Sequence, residues 1–589
     1  MIGPASKMAT RRVNVAVLLV AVAASMATLC NAQLPTSIVS GYTVCNNMVK
    51  CNIAATGTTL AVVTMTGDAQ SAGNATAVFK TQGTTFSGKL VIDCLTTDPW
   101  TNGVSLTVEI RDGAHATVLP TPIEIKGVLS LGSSILIING TYDFNLVFVA
   151  LTSFGLEDHS TLVVTGMQFV YTTMPESVIK SSQPLSITNG SRMELSYTSN
   201  TFTSLTLGGA WAWYLLDSVS SLDIGTNSFV VVVGNSNTLT SVTAHSCQIG
   251  VVRVGGLPMT ISGGSSLKID GNNEKLGSVT ASTGPMTIVA LALTATANVA
   301  SGGSVQVTGT EVTLLSVTAG GPLTLTPIDT LGLDLDDATV TASKNTFDLS
   351  IVTATALVQS YLRATNINAT SGAMINVDSN SFTRSQLTVS SPSLSSIAFV
   401  GSSGSIRVSG AARLLIAGNT VTEGSGASSA FTNLRFLVAG ALVQAGGVVG
   451  VDRNAVIFST TPETLFTLNT DSAAINVCLN YVNHLLCTGM SGNYSCAPTG
   501  AENVTFVLCS RTMTKTLLTT TTTTAASGSS STTTASTTAS GSSATGSSTT
   551  STSNTTTTSS PGSSSVGACT SIVGAAVVVV AGCILMMAL

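Results

Sequence analysis

A short pattern of apolar and polar residues returns along most of the chain. Its clearest copy places Leu222 and Ile224 on either side of Asp223, with Asn227 three positions later and Phe229 after it. The paired apolar positions of the copies are Ile135/Ile137, Leu162/Val164, Leu195/Tyr197, Leu222/Ile224, Leu267/Ile269, Val305/Val307, Val340/Ala342, Ile375/Val377, Leu414/Ile416, Val449/Val451 and Ile475/Val477.

Apolar residues two positions apart share one face of a strand, so each copy predicts a short β-strand with one buried and one wet face. The Asn that follows tolerates left-handed backbone geometry and predicts a bend. In stacked coils, such Asn amides would also bond to one another in a ladder. The Asn positions of the copies are Asn200, Asn227, Asn272, Asn345, Asn380, Asn419, Asn454 and Asn480.

The copies recur roughly every 26 to 45 residues, which is the range of solenoid and propeller repeats. A single strand cannot bury its apolar face, whereas stacked coils can. Leucine-rich repeats need Leu at fixed offsets, which this chain lacks. A four-stranded propeller blade remains an alternative. The prediction is an all-β, right-handed parallel β-helix of the pectin-lyase-like kind, with its coils at residues 131–482 and an N-terminal cap and first coils at 33–130.

Residues 1–32 are predicted to be a secretory signal peptide. Lys7, Arg11 and Arg12 precede an apolar run, and small residues stand before a cleavage site at Gln33. The alternative is a membrane anchor, for which the run is short.

The C-terminal end predicts a lipid-anchored stalk. Residues 516–565 are almost wholly Ser and Thr, a composition that cannot bury a core and is typical of an O-glycosylated stalk. Small residues around Ser563, a spacer and an uncharged tail within 566–589 indicate a glycolipid (GPI) anchor signal. A transmembrane helix is the alternative, but it usually carries basic residues on its cytoplasmic side, and the last basic residue is Lys515. The predicted location is the outer leaflet of the plasma membrane.

The cysteines agree with export. Outside the two terminal signals they are Cys45, Cys51, Cys94, Cys247, Cys478, Cys487, Cys496 and Cys509, an even number that predicts disulfides in a secreted protein. Residues 483–515 are interpreted as a Cys-rich C-terminal cap. Zinc is disfavoured because the spacing contains no CxxC. Glycosylation sequons occur at Asn74, Asn139, Asn189, Asn368, Asn493, Asn503 and Asn554.

The low content of charged residues argues against a nucleic-acid partner. Charged residues make up 8% of the chain and the net charge is -5, whereas a nucleic-acid-binding protein needs clustered Lys and Arg. We expect no nucleic-acid partner, no cofactor and no metal. The expected partners are the membrane, through the lipid anchor, and glycans or proteins of a host or the environment.

Catalytic chemistry is weakly represented. Glycosidic cleavage needs two carboxylates facing one groove, and adjacent acids occur at Glu157-Asp158, followed by His159, and at Asp336-Asp337. We interpret both acid pairs as solvated turns and predict no catalytic residues.

An aromatic cluster is the one candidate ligand site. Trp211, Trp213 and Tyr214 are predicted to lie in an insertion between coils, where aromatic side chains stack on sugars or anchor a partner. Alternatively, they fold inward and cover the flank of the helix.

The coil phrases Asn200-Thr201-Phe202 and Asn227-Ser228-Phe229 resemble those of the dispersed gene family surface proteins of trypanosomatid parasites, and the Ser/Thr tract resembles their mucin-type proteins. This resemblance implies a β-helix body, surface display and adhesion, with no catalytic residues. The predicted function is therefore a non-enzymatic, GPI-anchored cell-surface glycoprotein in adhesion, host or environment interaction, or a coat. The alternative is a glycan-active β-helix enzyme (a polysaccharide lyase or hydrolase).

Overall fold

The computed structural model describes residues 146–171, 173–424, 434–457, 465–468 and 473–487, and strand backbone at 42–43, 52–56, 61–66, 74–81, 89–93, 105–112, 123–130, 135–141, 504–508 and 511–514. All of these residues belong to one compact unit, Met1–Thr523. The predicted signal peptide, stalk and anchor signal lie outside the described residues.

The described secondary structure is almost entirely β. The first strands are β1 (Tyr42–Thr43), β2 (Asn52–Thr56), β3 (Ala61–Thr66), β4 (Asn74–Thr81), β5 (Lys89–Asp93), β6 (Ser105–Asp112), β7 (Ile123–Ser130), β8 (Ile135–Thr141), β9 (Val147–Glu157), β10 (Thr161–Thr165), β11 (Gln168–Tyr171), β12 (Ser177–Ser181), β13 (Leu185–Ile187), β14 (Arg192–Ser196), β15 (Ser199–Phe202) and β16 (Leu205–Thr206).

The central strands are β17 (Ala210–Ser218), β18 (Leu222–Ile224), β19 (Phe229–Val233), β20 (Ser236–Ala244), β21 (Ser246–Val254), β22 (Met259–Ile261), β23 (Ser266–Asp270), β24 (Asn273–Ala281), β25 (Met286–Ala300), β26 (Ser304–Thr308), β27 (Glu311–Ala319), β28 (Leu323–Asp336), β29 (Thr339–Ser343), β30 (Thr346–Ala354), β31 (Leu357–Thr370), β32 (Met374–Asp378) and β33 (Ser381–Val389). A single 3-10 turn, Pro392–Leu394, follows β33.

The last strands are β34 (Ser396–Ser409), β35 (Arg413–Ala417), β36 (Thr420–Glu423), β37 (Leu434–Ala445), β38 (Val448–Asp452), β39 (Ala455–Ile457), β40 (Phe466–Leu468), β41 (Ala473–Cys478), β42 (Tyr481–Val482), β43 (Leu485–Leu486), β44 (Val504–Leu508) and β45 (Arg511–Thr514).

These strands form stacked parallel coils. One coil consists of β25, β26 and β27, and the next repeats it as β28, β29 and β30, with each strand pairing in parallel to its equivalent. The long strands, such as β25 and β28, belong to a first sheet together with short strands such as β18 and β22. Strands such as β19, β20, β26 and β27 belong to a second sheet. The predicted parallel β-solenoid is confirmed. Antiparallel pairs, β2–β5 and β3–β4 before the coils and β42–β43 and β44–β45 after them, fall in or beside the ranges predicted for the caps.

Most of the predicted apolar pairs stack in one ladder of the second sheet. The pairs that occupy equivalent positions in this ladder are Leu162/Val164, Leu267/Ile269, Val305/Val307, Val340/Ala342, Ile375/Val377, Leu414/Ile416, Val449/Val451 and Ile475/Val477. Their burial supplies the core, because each inward column joins one coil to the next.

Three predicted pairs have the wrong register. The ladder contains Leu136/Ile138, Met193/Leu195 and Val230/Val232 in place of Ile135/Ile137, Leu195/Tyr197 and Leu222/Ile224. Tyr197 is 66% exposed, whereas Leu222 and Ile224 are buried but belong to the first sheet, opposite Leu185 and Ile187. A continuous run of valines at 230–233 hides the alternation that would have revealed the true copy.

The predicted asparagine ladder exists, but in it the left-handed residue of each bend is the one before the Asn and not the Asn itself. The Nδ2 of Asn345 donates to Oδ1 of Asn380, and Asn380 donates to Asn419 in the same way, at 2.9 and 2.8 Å. Each Asn is fully buried, and the residue before it, such as Lys344 or Ser379, takes the left-handed conformation. The Asn side chain therefore supplies hydrogen-bond partners, from inside the solenoid, to backbone groups at the bend. Members of the ladder are Asn235 with Asn272, and Asn345 with Asn380, Asn419, Asn454 and Asn480.

Replacing Asn380 by Ala should destabilise the solenoid by several kcal/mol. The backbone N–H and amide of Asn345 would lose their acceptor, and the carbonyl of Ala342 would lose its donor, at about 1–3 kcal/mol for each buried group left unpaired. Urea denaturation of the full-length chain measures the loss. Asn376→Ala, at a half-buried strand position, is the matched control and should change stability little. Equal effects of the two variants would show that the ladder does not stabilise the bend.

Candidate functional site

The alternation of buried and exposed residues is interrupted within the long strands of the first sheet, as in β25, β31 and β34. In β31 the consecutive residues Tyr361 and Leu362 are both fully buried, so the regular alternation of faces is interrupted there. The hydroxyl of Tyr361 bonds to the carbonyl of Thr420 at 3.1 Å. Ser360 and Arg363 stand on either side of this buried pair, and both line an external groove. The groove therefore lies beside the interrupted alternation in this coil.

The groove has a volume of about 730 Å³ and receives residues from β25, β28, β31, β34, β37 and β40. This volume lies within the range of small-ligand sites, about 300–1,000 Å³. Its apolar lining includes Leu293, Leu331, Val358, Ile397 and Val438, and Leu331 is 54% exposed. Its remaining lining consists mainly of Ser and Thr hydroxyls with three charged side chains.

Small residues keep the groove open in the coils that line it. In an earlier coil the ring of Tyr214 lies over Gly250, where an added Cβ would stand 2.6 Å from the ring. The Arg253 guanidinium covers this ring, with its central carbon 4.9 Å from the ring centroid. Burial raises the pKa of Tyr214 to about 12. Farther along the solenoid, Ser360 and Ala398 occupy the equivalent position in two neighbouring coils. These smaller residues leave the groove unfilled.

The charged residues of the groove are held by defined contacts. Arg363 makes a two-pronged pair with Asp329 of the previous coil, at 2.8 Å from Nε to Oδ1 and 2.5 Å from Nη2 to Oδ2. Arg435 donates from Nε to the hydroxyl of Thr467 at 2.7 Å and from Nη1 to the carbonyl of Leu434 at 2.9 Å. Asp329 is the one carboxylate among the described residues that line the groove.

The aromatic cluster folds inward, which is the alternative to the predicted ligand site, and it lies in a strand and not in an insertion. Trp211, Trp213 and Tyr214 belong to strand β17 and are 6%, 0% and 2% exposed. Trp213 packs edge-on against Phe202 at 5.0 Å and Tyr171 at 5.5 Å, and Trp211 donates its Nε1–H to the carbonyl of Pro175. Strand alternation turns both indoles into the core, so they offer no surface to a ligand.

Each acid pair spans the end of a strand and the exposed turn after it, because Glu157 and Asp336 are the last residues of β9 and β28. Asp158 and His159 are exposed and have positive φ, and Asp337 does as well. Asp336 accepts hydrogen bonds from the hydroxyls of Ser371 and Thr370, and these bonds lower the pKa of Asp336. None of these acids is among the described residues that line the groove.

The disulfide prediction fails at Cys247. Its thiol is free and fully buried in β21, where its register neighbours are Trp211 and Met286, so no cysteine faces it on either adjacent coil. Burial raises the pKa of the Cys247 thiol to about 12. Cys478 and Cys487 each take part in a disulfide. The predicted disulfide residues Cys45, Cys51, Cys94, Cys496 and Cys509 lie outside the described residues.

The predicted modification sites fall in different settings. Asn189 is exposed in a turn with positive φ, and Asn368 is half-buried in β31. Asn74 and Asn139 lie in β4 and β8. Asn493, Asn503, Asn554 and the predicted anchor position Ser563 lie outside the described residues. Glycosylation and lipid attachment stay predictions.

Comparisons with known proteins identify no relative: no protein-family model, curated protein or solved structure matches this chain. The part of the chain that the structure describes contains no cluster of three His, Cys, Asp or Glu side chains able to hold a metal ion. It also contains no helix of the length and hydrophobicity needed to span a membrane.

Proposed function

We propose that this chain is a non-enzymatic cell-surface glycoprotein that mediates adhesion to a host or environmental partner through the first-sheet groove. The observation that carries this proposal is the chemistry of the groove. It has the volume of a ligand site, a largely apolar and hydroxyl lining, and a single carboxylate among the described lining residues.

That carboxylate is poorly suited to catalysis. Glycoside hydrolysis needs two carboxyl groups about 5 to 9.5 Å apart, one of them able to donate a proton. Asp329 engages the Arg363 guanidinium with both oxygens, and no second carboxylate is among the described residues that line the groove. The groove can therefore position a ligand without supplying the acid–base pair that would cleave it.

The terminal sequences support display at a surface. A secretory signal, a Ser/Thr-rich stalk and an uncharged C-terminal tail are the parts of a secreted protein tethered by a glycolipid. The stalk would hold the solenoid away from the membrane, because an uncharged, glycosylated Ser/Thr tract stays extended.

Cells that express the full-length chain should gain adhesion, and phosphatidylinositol-specific phospholipase C should remove both the chain and the adhesion. The enzyme cleaves a glycolipid anchor and would leave a transmembrane helix in place. Surface immunostaining and a shear-flow detachment assay measure the two outcomes. A protein with an established glycolipid anchor, on the same cells, is the control for cleavage.

Two results would contradict this proposal. Retention of the chain after the phospholipase has released the control protein would exclude the glycolipid tether. Release of reducing ends or unsaturated sugars from polysaccharides by the purified full chain, abolished in Asp329→Asn, would show that the groove is an enzyme active site.

A further inference from the structure

We propose that the interior of the solenoid binds one structural water molecule between Glu274 and Thr310. These two residues line a small cavity between the two sheets, and none of the residues of this cavity lines the groove. Three features carry the inference: a break in the asparagine ladder, two buried polar atoms without partners among the described residues, and a cavity of the right size.

The asparagine ladder is interrupted at Thr310. The strand registers on either side place Thr310 between Asn272 and Asn345 in the ladder. At the preceding step, Asn272 Oδ1 accepts hydrogen bonds from the backbone N–H and from Nδ2 of Asn235, at 3.1 and 2.9 Å. The Thr310 hydroxyl is shorter than an Asn amide, and its Oγ1 has no hydrogen-bond partner among the described residues. The backbone N–H of Thr310 still donates to Asn345 Oδ1 at 3.1 Å, so the backbone follows the ladder and the side-chain link to Asn272 is lost.

Glu274 brings a second such atom to the same cavity. Glu274 and Thr310 are each 2% exposed, and Glu274 Oε2 also has no hydrogen-bond partner among the described residues. Because burial raises the pKa of Glu274 to about 8, its carboxyl group keeps its proton at neutral pH. Oε1 accepts a hydrogen bond from Asn237, which leaves the proton on Oε2. A water molecule here accepts a hydrogen bond from Glu274 Oε2 and donates one to Thr310 Oγ1, so both buried atoms are paired.

The cavity has room for one water molecule. Its volume is about 10 Å³, and a buried water requires about 10–15 Å³. Ala290 and Pro327 line it from the first sheet. In the following coils the equivalent position holds the rings of Tyr361, Phe399 and Phe436, which stack on one another. The space therefore lies where this column begins with smaller residues.

The lining suits water better than a metal ion. Among the described lining residues, Glu274 and Thr310 have polar side chains, and the others have hydrocarbon ones. A buried water typically has two to four polar partners, whereas calcium takes about six to eight oxygen ligands. Two side-chain oxygens meet the requirement of water.

The test counts long-lived internal water molecules in the purified full-length chain by oxygen-17 relaxation dispersion of the solvent. We expect Thr310→Val, which has nearly the same size but no hydroxyl, to lose one such water relative to the parent. Thr313→Val, at a half-buried position of β27, is the matched control and should lose none. Equal counts in the parent and in Thr310→Val would overturn the inference.

A second variant keeps the test decisive if Thr310→Val does not fold. Thr310→Asn should restore the side-chain link to Asn272 and displace the water, so the count should again fall by one. A count equal to that of the parent in this variant would overturn the inference.

A high-resolution crystal structure of the full-length chain locates the molecule directly. Density for one water should lie within about 3.0 Å of both Glu274 Oε2 and Thr310 Oγ1. A direct hydrogen bond between these two side chains, or density with the ligand shell of a metal ion, would overturn the inference.

Discussion

Replacing Arg384 by Met is expected to destabilise the solenoid by about 3 to 5 kcal/mol, the range measured when one member of a buried ion pair is removed. Arg384 and Glu423 stand in register on β33 and β36, inside the coils, with side chains that are 0% exposed. Arg384 Nη2 lies 3.0 Å from Glu423 Oε1. Burial lowers the pKa of Arg384, and the charge of Glu423 opposes this effect. The single variant leaves the carboxylate buried without that guanidinium.

The double variant Arg384→Met, Glu423→Leu provides the decisive comparison. In earlier coils the same column contains Leu276, Leu314 and Leu349, so apolar residues are compatible with this position. Its stability should be close to that of the unmodified chain or above it, because replacing a buried ion pair by apolar residues is often neutral or stabilising. Denaturant unfolding of the full-length chain measures all three proteins. If the double variant lost as much stability as Arg384→Met, the lost packing of Arg384, and not the loss of its charge beside Glu423, would explain the effect.

Replacing Glu274 by Gln should stabilise the protein at high pH and change it little at low pH. Glu274 lies inside the solenoid, where its Oε1 accepts a hydrogen bond from Asn237 at 2.6 Å. Its Oε2 has no hydrogen-bond partner among the described residues. Burial raises the pKa of Glu274 from 4.5 to about 8, with the bond from Asn237 acting in the opposite direction.

The sign of the pH dependence follows from this raised pKa. A carboxyl group whose pKa is higher in the folded than in the unfolded state stabilises the fold fully below pH 4.5, and this contribution is lost as pH rises through 8. The total is on the order of 5 kcal/mol, at about 1.4 kcal/mol per pKa unit. Unfolding free energies of the parent and Glu274→Gln at pH 5 and pH 9 measure the difference. Parallel pH profiles for the two proteins would show that Glu274 does not titrate in this range.

The coil architecture could be predicted because the alternation of apolar and polar residues in each strand, and the Asn after each apolar pair, are local features of the sequence. Leu267 and Ile269, with Asn272 three positions later, lie on the second-sheet ladder as expected. The predicted register was wrong where the alternation of apolar and polar residues disappears, as in the valine run of β19. A serine ladder was also missed: the backbone N–H of Ser160 donates to Ser191 Oγ, and Ser191 to Ser228 in the same way. Ser is so common in this chain that spacing alone does not distinguish those positions.

The groove could not be predicted, since it depends on contacts between residues that are far apart in sequence. Arg363, Gly401 and Val438 share one outward column, and only the register between coils brings them together. The buried Arg384 did leave a local signal. It stands two residues after the inward-facing Phe382 and therefore shares its face, but an Arg between Thr383 and Ser385 suggests solvent by composition.

The groove also bears on how such a protein can diversify. The inward columns beneath it, such as Leu291, Ile328 and Leu362, hold the coils together, while the outward columns only decide whether the groove is occupied. One coil has Tyr214 at the position where a later coil has Ala398. Exchanging one such residue per coil would lengthen, shorten or relocate the groove and leave the stacked coils unchanged. Binding specificity could then drift by point substitution, one coil at a time, without the insertions that loop-based recognition requires.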